Sequence, residues 1–148
     1  MKKRIVRILA LAVILTMLLS TAVFASMTAS EYIAATNAWI TRTGNTVKVN
    51  FTIVGTKTMD KIGVQYVYLY EKTGNTWYLV ETFNYTDPDY AADMMNTNSG
   101  AKAAYLSYDG SSTKSYYATC YFYAEKNGGS DSITQNTPTS HGSSTPTP

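Results

Sequence analysis

Thr46 to Val54 reads TVKVNFTIV, in which Val47, Val49, Phe51 and Ile53 alternate with Thr46, Lys48, Asn50 and Thr52. Strict alternation has the two-residue period of a strand with one buried face, and a helix cannot gather those four apolar side chains on one side. The rest of the chain has the same texture. Tyr, Thr, Val, Ile and Phe, residues that suit a pleated surface, are abundant. Turn signals recur at short intervals at Thr43-Gly44-Asn45, Thr73-Gly74-Asn75, Asp109-Gly110 and Asn127-Gly128-Gly129, and no long helical period runs between them.

These signals predict seven strands, at about Ile33–Arg42, Thr46–Val54, Gly63–Glu71, Thr76–Phe83, Ala101–Tyr108, Ser115–Glu125 and Ser132–Thr137. Asp87 to Gly100 is the one long connection, with room for a helical turn at Tyr90–Met95. About seven short strands with frequent turns predict an all-β fold, an antiparallel β-sandwich of immunoglobulin type. A small closed β-barrel is the alternative, since strand patterning alone does not separate the two.

The ends of the chain carry different signals. Met1 to Ala25 opens with Lys2, Lys3, Arg4 and Arg7, continues as an apolar run from Ile8 to Leu19 broken only by Thr16, and closes with Val23 and Ala25 at the −3 and −1 positions of a cleavage site. That is the three-part pattern of a secretory signal peptide, with a hydrophobic helix too short for the ~20 residues of a membrane span. An uncleaved anchor is the competing reading. Residues 26–137 are expected to form the folded domain. Gln135 to Pro148 reads QNTPTSHGSSTPTP, with almost nothing to bury, and predicts disorder, with the Thr/Ser/Pro tail proper over residues 138–148. The expected location is therefore secreted or extracellular, and the basic start without disulfides suits a bacterial exporter.

Charge and rare residues narrow the chemistry. The net charge of +2 comes from the leader; from Ser26 onward eight basic residues face ten acidic ones. That balance gives no reason to expect nucleic-acid binding. The single Cys excludes an intrachain disulfide. The single His, His141, sits in the tail, so Ser–His catalysis and multi-histidine metal sites have no basis. Cys120 shares parity with Ala118, Phe122 and Ala124 and reads as a small core hydrophobe. Most acids fall at turns and strand ends, which makes a glycosidase pair a remote reading. Asp87, Asp89 and Asp93 cluster in the long loop, but lack the glycine turn and closing Glu of a helix-loop-helix calcium site, so a turn with a helix cap is the simpler account. The expectation is a chain with no catalytic residue, no metal and no cofactor.

Met59-Asp60-Lys61-Ile62-Gly63, the strand ending Leu69-Tyr70-Glu71, Trp77 followed by Leu79-Val80, and Tyr117-Ala118 leading to Phe122-Tyr123-Ala124-Glu125 resemble a group of small secreted proteins of unknown function from clostridia and related Gram-positive bacteria. The resemblance covers most of the mature chain. It implies export and an immunoglobulin- or fibronectin-like sandwich, and brings no active site.

Tyrosine is the unusual residue: all thirteen lie after residue 30. Tyr66, Tyr68 and Tyr70 oppose Val67 and Leu69 in parity, and Tyr117, Tyr121 and Tyr123 oppose the small and apolar set of their strand. If Val67 and Leu69 face inward and these strands are neighbours, the six tyrosines line one outer sheet face. Tyr combines a flat apolar ring with a hydroxyl at low entropy cost, a mix suited to glycan or protein surfaces. Cross-strand aromatic pairs also stabilise sheets without binding anything. Val64 breaks the parity, and a one-residue slip would turn the rings inward. The functional expectation is a secreted non-enzymatic binding or adhesion module using Tyr66, Tyr68, Tyr70, Tyr117, Tyr121 and Tyr123. A glycan or a surface protein is its expected partner. A self-assembling structural subunit is the alternative, and a small hydrolase a distant third.

Overall fold

One strand organises the molecule. In a computed structural model that describes residues 30–142, β2 runs from Thr46 to Thr73, following β1 (Ile33–Thr43). β3 (Thr76–Asn84), α1 (Ala91–Met94), β4 (Met95–Asp109), β5 (Ser115–Lys126) and β6 (Gly129–Asn136) complete the order. The leader over Met1–Ala25 and the end of the tail lie outside the described residues.

All pairings are antiparallel and form a six-stranded sheet. The first half of β2, residues 46–54, lies between β1 and the second part of β4. Its second half pairs with β5 on one side, and with β3 and the first part of β4 on the other. β6 extends the sheet beyond β5. Because β2 belongs to both halves, the sheet curls on itself into a half-barrel.

The seven expected strands are therefore six. The segment between Val54 and Gly63, which the expected strands leave between them, continues the strand. Its register with β4 shifts between Val54 and Met59, and such irregularities bend a strand without ending it. Gly63 makes the return possible: a Cβ there would run into the Met94 carbonyl oxygen, so only glycine lets the backbone pass the end of α1 this closely. The long connection also holds less loop than expected. It contains the one-turn helix α1, after which β4 begins at Met95.

The core lies inside the curl. Val47, Val49, Phe51 and Ile53 from the first half of β2 face Ile62, Val64, Val67 and Leu69 from the second, together with Ala118, Cys120, Phe122 and Ala124 of β5. Each fully buried Val, Leu, Ile, Met or Phe side chain contributes roughly 1.5–3 kcal/mol relative to exposure. At the end of β5, Asn127 (φ 51) and Gly128 (φ 81) form a two-residue turn with both φ positive, the form whose twist matches the strands it joins.

One side of the curl is tied shut, with β1 packed against β5 and β6. Asp131 Oδ2 on β6 accepts from Ser30 Oγ (2.6 Å) and from the Tyr32 amide (3.0 Å). At the other end, the Arg42 guanidinium donates to the carbonyls of Ser111, Lys114 and His141. The strand expected at Ser132–Thr137 forms as β6, and the reading of disorder from Gln135 is corrected. Gln135 and Asn136 close β6, and Thr137 and Ser140 continue along β5, bonded to Ala118 and Tyr116. The segment has little to bury, but the edge of β5 supplies partners for its backbone. The other side is open: among the described residues no ladder joins β3 to the second part of β4.

Candidate functional site

The tyrosine strands are direct neighbours. In the β2–β5 ladder, Tyr66 pairs with Tyr121, Tyr68 with Thr119, and Tyr70 with Tyr117. Val67, Leu69, Ala118, Cys120 and Phe122 are fully buried on the opposite face, so Tyr66, Tyr68, Tyr70, Tyr117 and Tyr121 point away from the core. Val64 keeps its inward position because the register shifts between Val64 and Tyr66. The extra residue, Gln65, absorbs the parity break.

The structure brings five of the six rings into contact, in two groups. Tyr66 and Tyr68 stack at 6.2 Å, and Tyr121 meets them edge-on at 6.4 and 5.5 Å. Tyr70 and Tyr117 stack at 4.7 Å with an interplanar angle of 8°. Trp77 of β3 closes on Tyr117 edge-to-face at 4.8 Å. Tyr123 stands apart, opposite Gly63, with its hydroxyl donating to Glu125 Oε2 at 2.7 Å. Glu125 also pairs with Lys61 at 3.6 Å.

Rings that stack on one another cover their own faces and present their edges. No hydrogen bond to a described residue engages the hydroxyls of Tyr66, Tyr68, Tyr70, Tyr117 or Tyr121. The surface is apolar at depth and hydroxylated at its rim. Burial holds the Tyr117 hydroxyl above the ordinary tyrosine range, with nearby Tyr70 adding to it. For Tyr123, burial and then the bond to Glu125 act in the same direction. These hydroxyls stay protonated, as donors, at neutral pH. Across the β2–β3 ladder, Leu79, Thr82 and Asn84 lie beside Tyr70, Tyr68 and Tyr66, and Leu79 is 53% exposed.

The other groups singled out from sequence have structural surroundings. Cys120 is buried and unpaired, and burial pushes its thiol up to about 12. Asp87 Oδ1 accepts the Asp89 amide at 3.0 Å, an Asx turn, and among the described residues no three His, Cys, Asp or Glu side chains converge as a metal site needs. The His141 side chain is exposed. Tyr116, which alternation left unassigned, is fully buried. It donates to Glu71 Oε2 (2.6 Å), accepts from the Ser111 amide (2.8 Å), and burial followed by Glu71 raises its hydroxyl to about 12. It anchors the loop after β4.

Sequence reasoning also missed Trp39 and Tyr105. They flank Asn50 in one cross-strand row of the other half-sheet and are 38% and 52% exposed. Each sits beside an apolar residue, so alternation alone did not say which parity faced out.

No protein-family profile matches the chain, and no curated protein matches it. Among solved structures, the chain is similar to a hypothetical protein, PH1083, from Pyrococcus horikoshii OT3, at 16% identity over 71% of this chain and 88% of that one, with a TM-score of 0.32. A likeness at that level carries no argument about fold or function.

Proposed function

We propose that this chain is a secreted, non-enzymatic binding module whose outer tyrosine face docks a macromolecular partner. The observation that supports it is the mutual packing of Tyr66, Tyr68, Tyr121, Tyr70 and Tyr117 on the solvent side of two adjacent strands. Pre-packed rings lose little side-chain freedom on association, which lowers the ordering cost of binding. Because they present edges and hydroxyls, a protein surface suits them better than a sugar ring, which needs an open aromatic face. Export rests on the charged start, short apolar run and Val23/Ala25 site of the leader. The likeness to small secreted clostridial proteins agrees with an extracellular role. For the architecture we favour the small-barrel reading over the immunoglobulin-like sandwich, because β2 runs through both halves.

The test is a surface-protein and glycan binding screen with the mature chain, repeated with Tyr68→Ser/Tyr121→Ser. The reading requires that the double variant keep its β-type circular dichroism and lose the captured partner. Capture unchanged by the double variant contradicts it. A second reading, self-association, is favoured by the outer edge of β3, which no described strand pairs and where Tyr78 and Leu79 are 54% and 53% exposed. Such an edge is a template for strand pairing. Oligomers that grow with concentration in sedimentation, and vanish in Leu79→Lys, would select it.

A further inference from the structure

The outer face of the first half-sheet is a three-by-three array. Trp39, Asn50 and Tyr105 form its middle row, with Asn37, Thr52 and Ala103 on one side and Thr41, Lys48 and Ser107 on the other. Trp39 and Tyr105 stand two strands apart, about 10 Å at the usual inter-strand spacing. Neither ring takes part in a ring–ring pair among the described residues. Lys48 Nζ sits 4.2 Å from the Tyr105 ring centre, and it is the only charged residue in the array. The Asn50 amide nitrogen is committed to Thr41 Oγ1 and nearby carbonyls, and no hydrogen bond from a described residue engages its oxygen. Beyond Tyr105, at the edge of β4 that no described strand pairs, an open recess of about 380 Å³ is lined by Asp93, Lys102, Ala103, Ala104 and Tyr105. Lys102 is spent on Ala92 O (2.7 Å) and Asn96 Oδ1 (3.1 Å), so Asp93 brings the acceptor capacity there.

We infer that this face is a second binding site, distinct from the tyrosine face, and that it takes a neutral polysaccharide chain. The ligand crosses the strands from Trp39 over Asn50 to Tyr105 and ends in the recess beside Asp93. Four features select that chemistry. Trp39 and Tyr105, about 10 Å apart or roughly one disaccharide, offer apolar ring surface to the C–H faces of alternate sugars of one chain, Tyr105 with one face already taken by Lys48. Asn, Thr and Ser between and beside them offer hydrogen bonds to hydroxyls. The near-neutral array gives no purchase to a highly charged ligand. An open, flat face admits an extended chain where a closed pocket would admit only a small molecule. Trp39 pairs with Asn50 and not with an aromatic, so its exposed ring adds no cross-strand aromatic pair to the sheet.

Trp39 reports on its own site once Trp77→Phe removes the other tryptophan. Chitohexaose and cellohexaose are titrated into this variant, and the mature chain is incubated with insoluble chitin and cellulose. The expected result is saturable change in Trp39 emission, or retention on the solid, for at least one of the four. Trp39→Ala and Tyr105→Ala should each weaken binding about tenfold or more, Asp93→Ala less. Tyr68→Ser/Tyr121→Ser should leave it unchanged, which separates this site from the tyrosine face. No binding to any of the four probes, or binding that Trp39→Ala leaves intact in a folded variant, overturns the inference. Concentration-dependent dimers abolished by Trp39→Ala would also overturn it, assigning the face to a second copy.

Discussion

On the second half of β2, Tyr70 lies against Tyr117 at 4.7 Å and Tyr68 against Tyr121 at 5.5 Å. On the first half, Trp39 and Tyr105 stand either side of Asn50 and meet no other ring among the described residues. Both sets occupy the outer surface of the same bent strand and its neighbours. The difference comes from register: in the second half Tyr66 opposes Tyr121 and Tyr70 opposes Tyr117, with Tyr68 diagonal to Tyr121, and in the first half both aromatics oppose an amide. Where rings oppose, they spend their faces on each other and become a rigid surface of edges and hydroxyls. Where they do not, the rings have other neighbours: Lys48 lies over one face of Tyr105, and Trp39 has Asn50 across the ladder. The number of exposed aromatics therefore says less about a sheet face than which residue each has across the ladder.

The comparison depends on β2 being one strand in two half-sheets, and Gly63→Ala is the strongest way to break it. The added methyl meets the Met94 carbonyl oxygen, a backbone atom that cannot rotate aside. A loss of about 4 kcal/mol or more is expected, in the exceptional range for a point change. It would be read as a collapse of the denaturant midpoint. A midpoint close to the parent value would mean that the two halves are not held this closely.

Tyr116→Phe comes next. It removes the hydroxyl between Glu71 and the Ser111 amide, leaving part-buried polar groups unpaired at a cost of about 1–3 kcal/mol. Tyr105→Phe, on the open face, should cost less than about 0.5 kcal/mol, as surface changes do. Equal losses in chemical denaturation would remove the distinction between a tyrosine that holds structure and one that does not.

Titration separates the regions more gently. The raised hydroxyls of Tyr116, Tyr117 and Tyr123 resist ionisation in the fold. Their stabilisation is fully present below the ordinary tyrosine value of ~10 and is lost as pH rises through the folded values. Tyrosinate absorbance should therefore lag behind that of the unfolded chain, with Tyr116 last, near 12. At the acid end, Asp131 is held low by Ser30 and then the Tyr32 amide, and Asp60 by Lys126 and then the Asn127 amide. Their contribution is present above the ordinary carboxylate value of ~4 and fades as pH falls below it. Thermal midpoints should be flat from neutral pH to about 5 and then drop, less steeply in Asp131→Asn.

The outward parity of the tyrosines was legible in part, because Val67, Leu69, Ala118, Cys120 and Phe122 mark the inner side of both strands, while Val64 broke the pattern until the shift at Gln65 accounted for it. The alternation of Val47, Val49, Phe51 and Ile53 likewise fixed one face of the first half of β2. The continuity of β2 was not legible, because GTKTMD carries no alternation and its pairing is decided by β1 and β4. Trp39 lies between Ala38 and Ile40, and Tyr105 beside Leu106. Either parity there looks apolar, and only the partner strand settles which faces out. The strand at Ser132–Thr137 was legible, but the reading of disorder from Gln135 to Ser140 failed for a related reason. Composition reports what a segment can bury, not which strand edge is waiting for it.

The claim that the rings of one face hold each other, while those of the other do not, is tested most directly by two double-mutant cycles in equilibrium unfolding. One uses Tyr70→Ala and Tyr117→Ala; the other uses Trp39→Ala and Tyr105→Ala. A cycle removes the burial each ring loses alone and leaves the pairwise term. The first should give a coupling of about 0.5–1.5 kcal/mol, as measured for aromatic pairs, and the second a coupling within about 0.3 kcal/mol of zero, as for residues that share no contact. An uncoupled tyrosine pair, or a Trp39–Tyr105 coupling as large as theirs, would contradict the account.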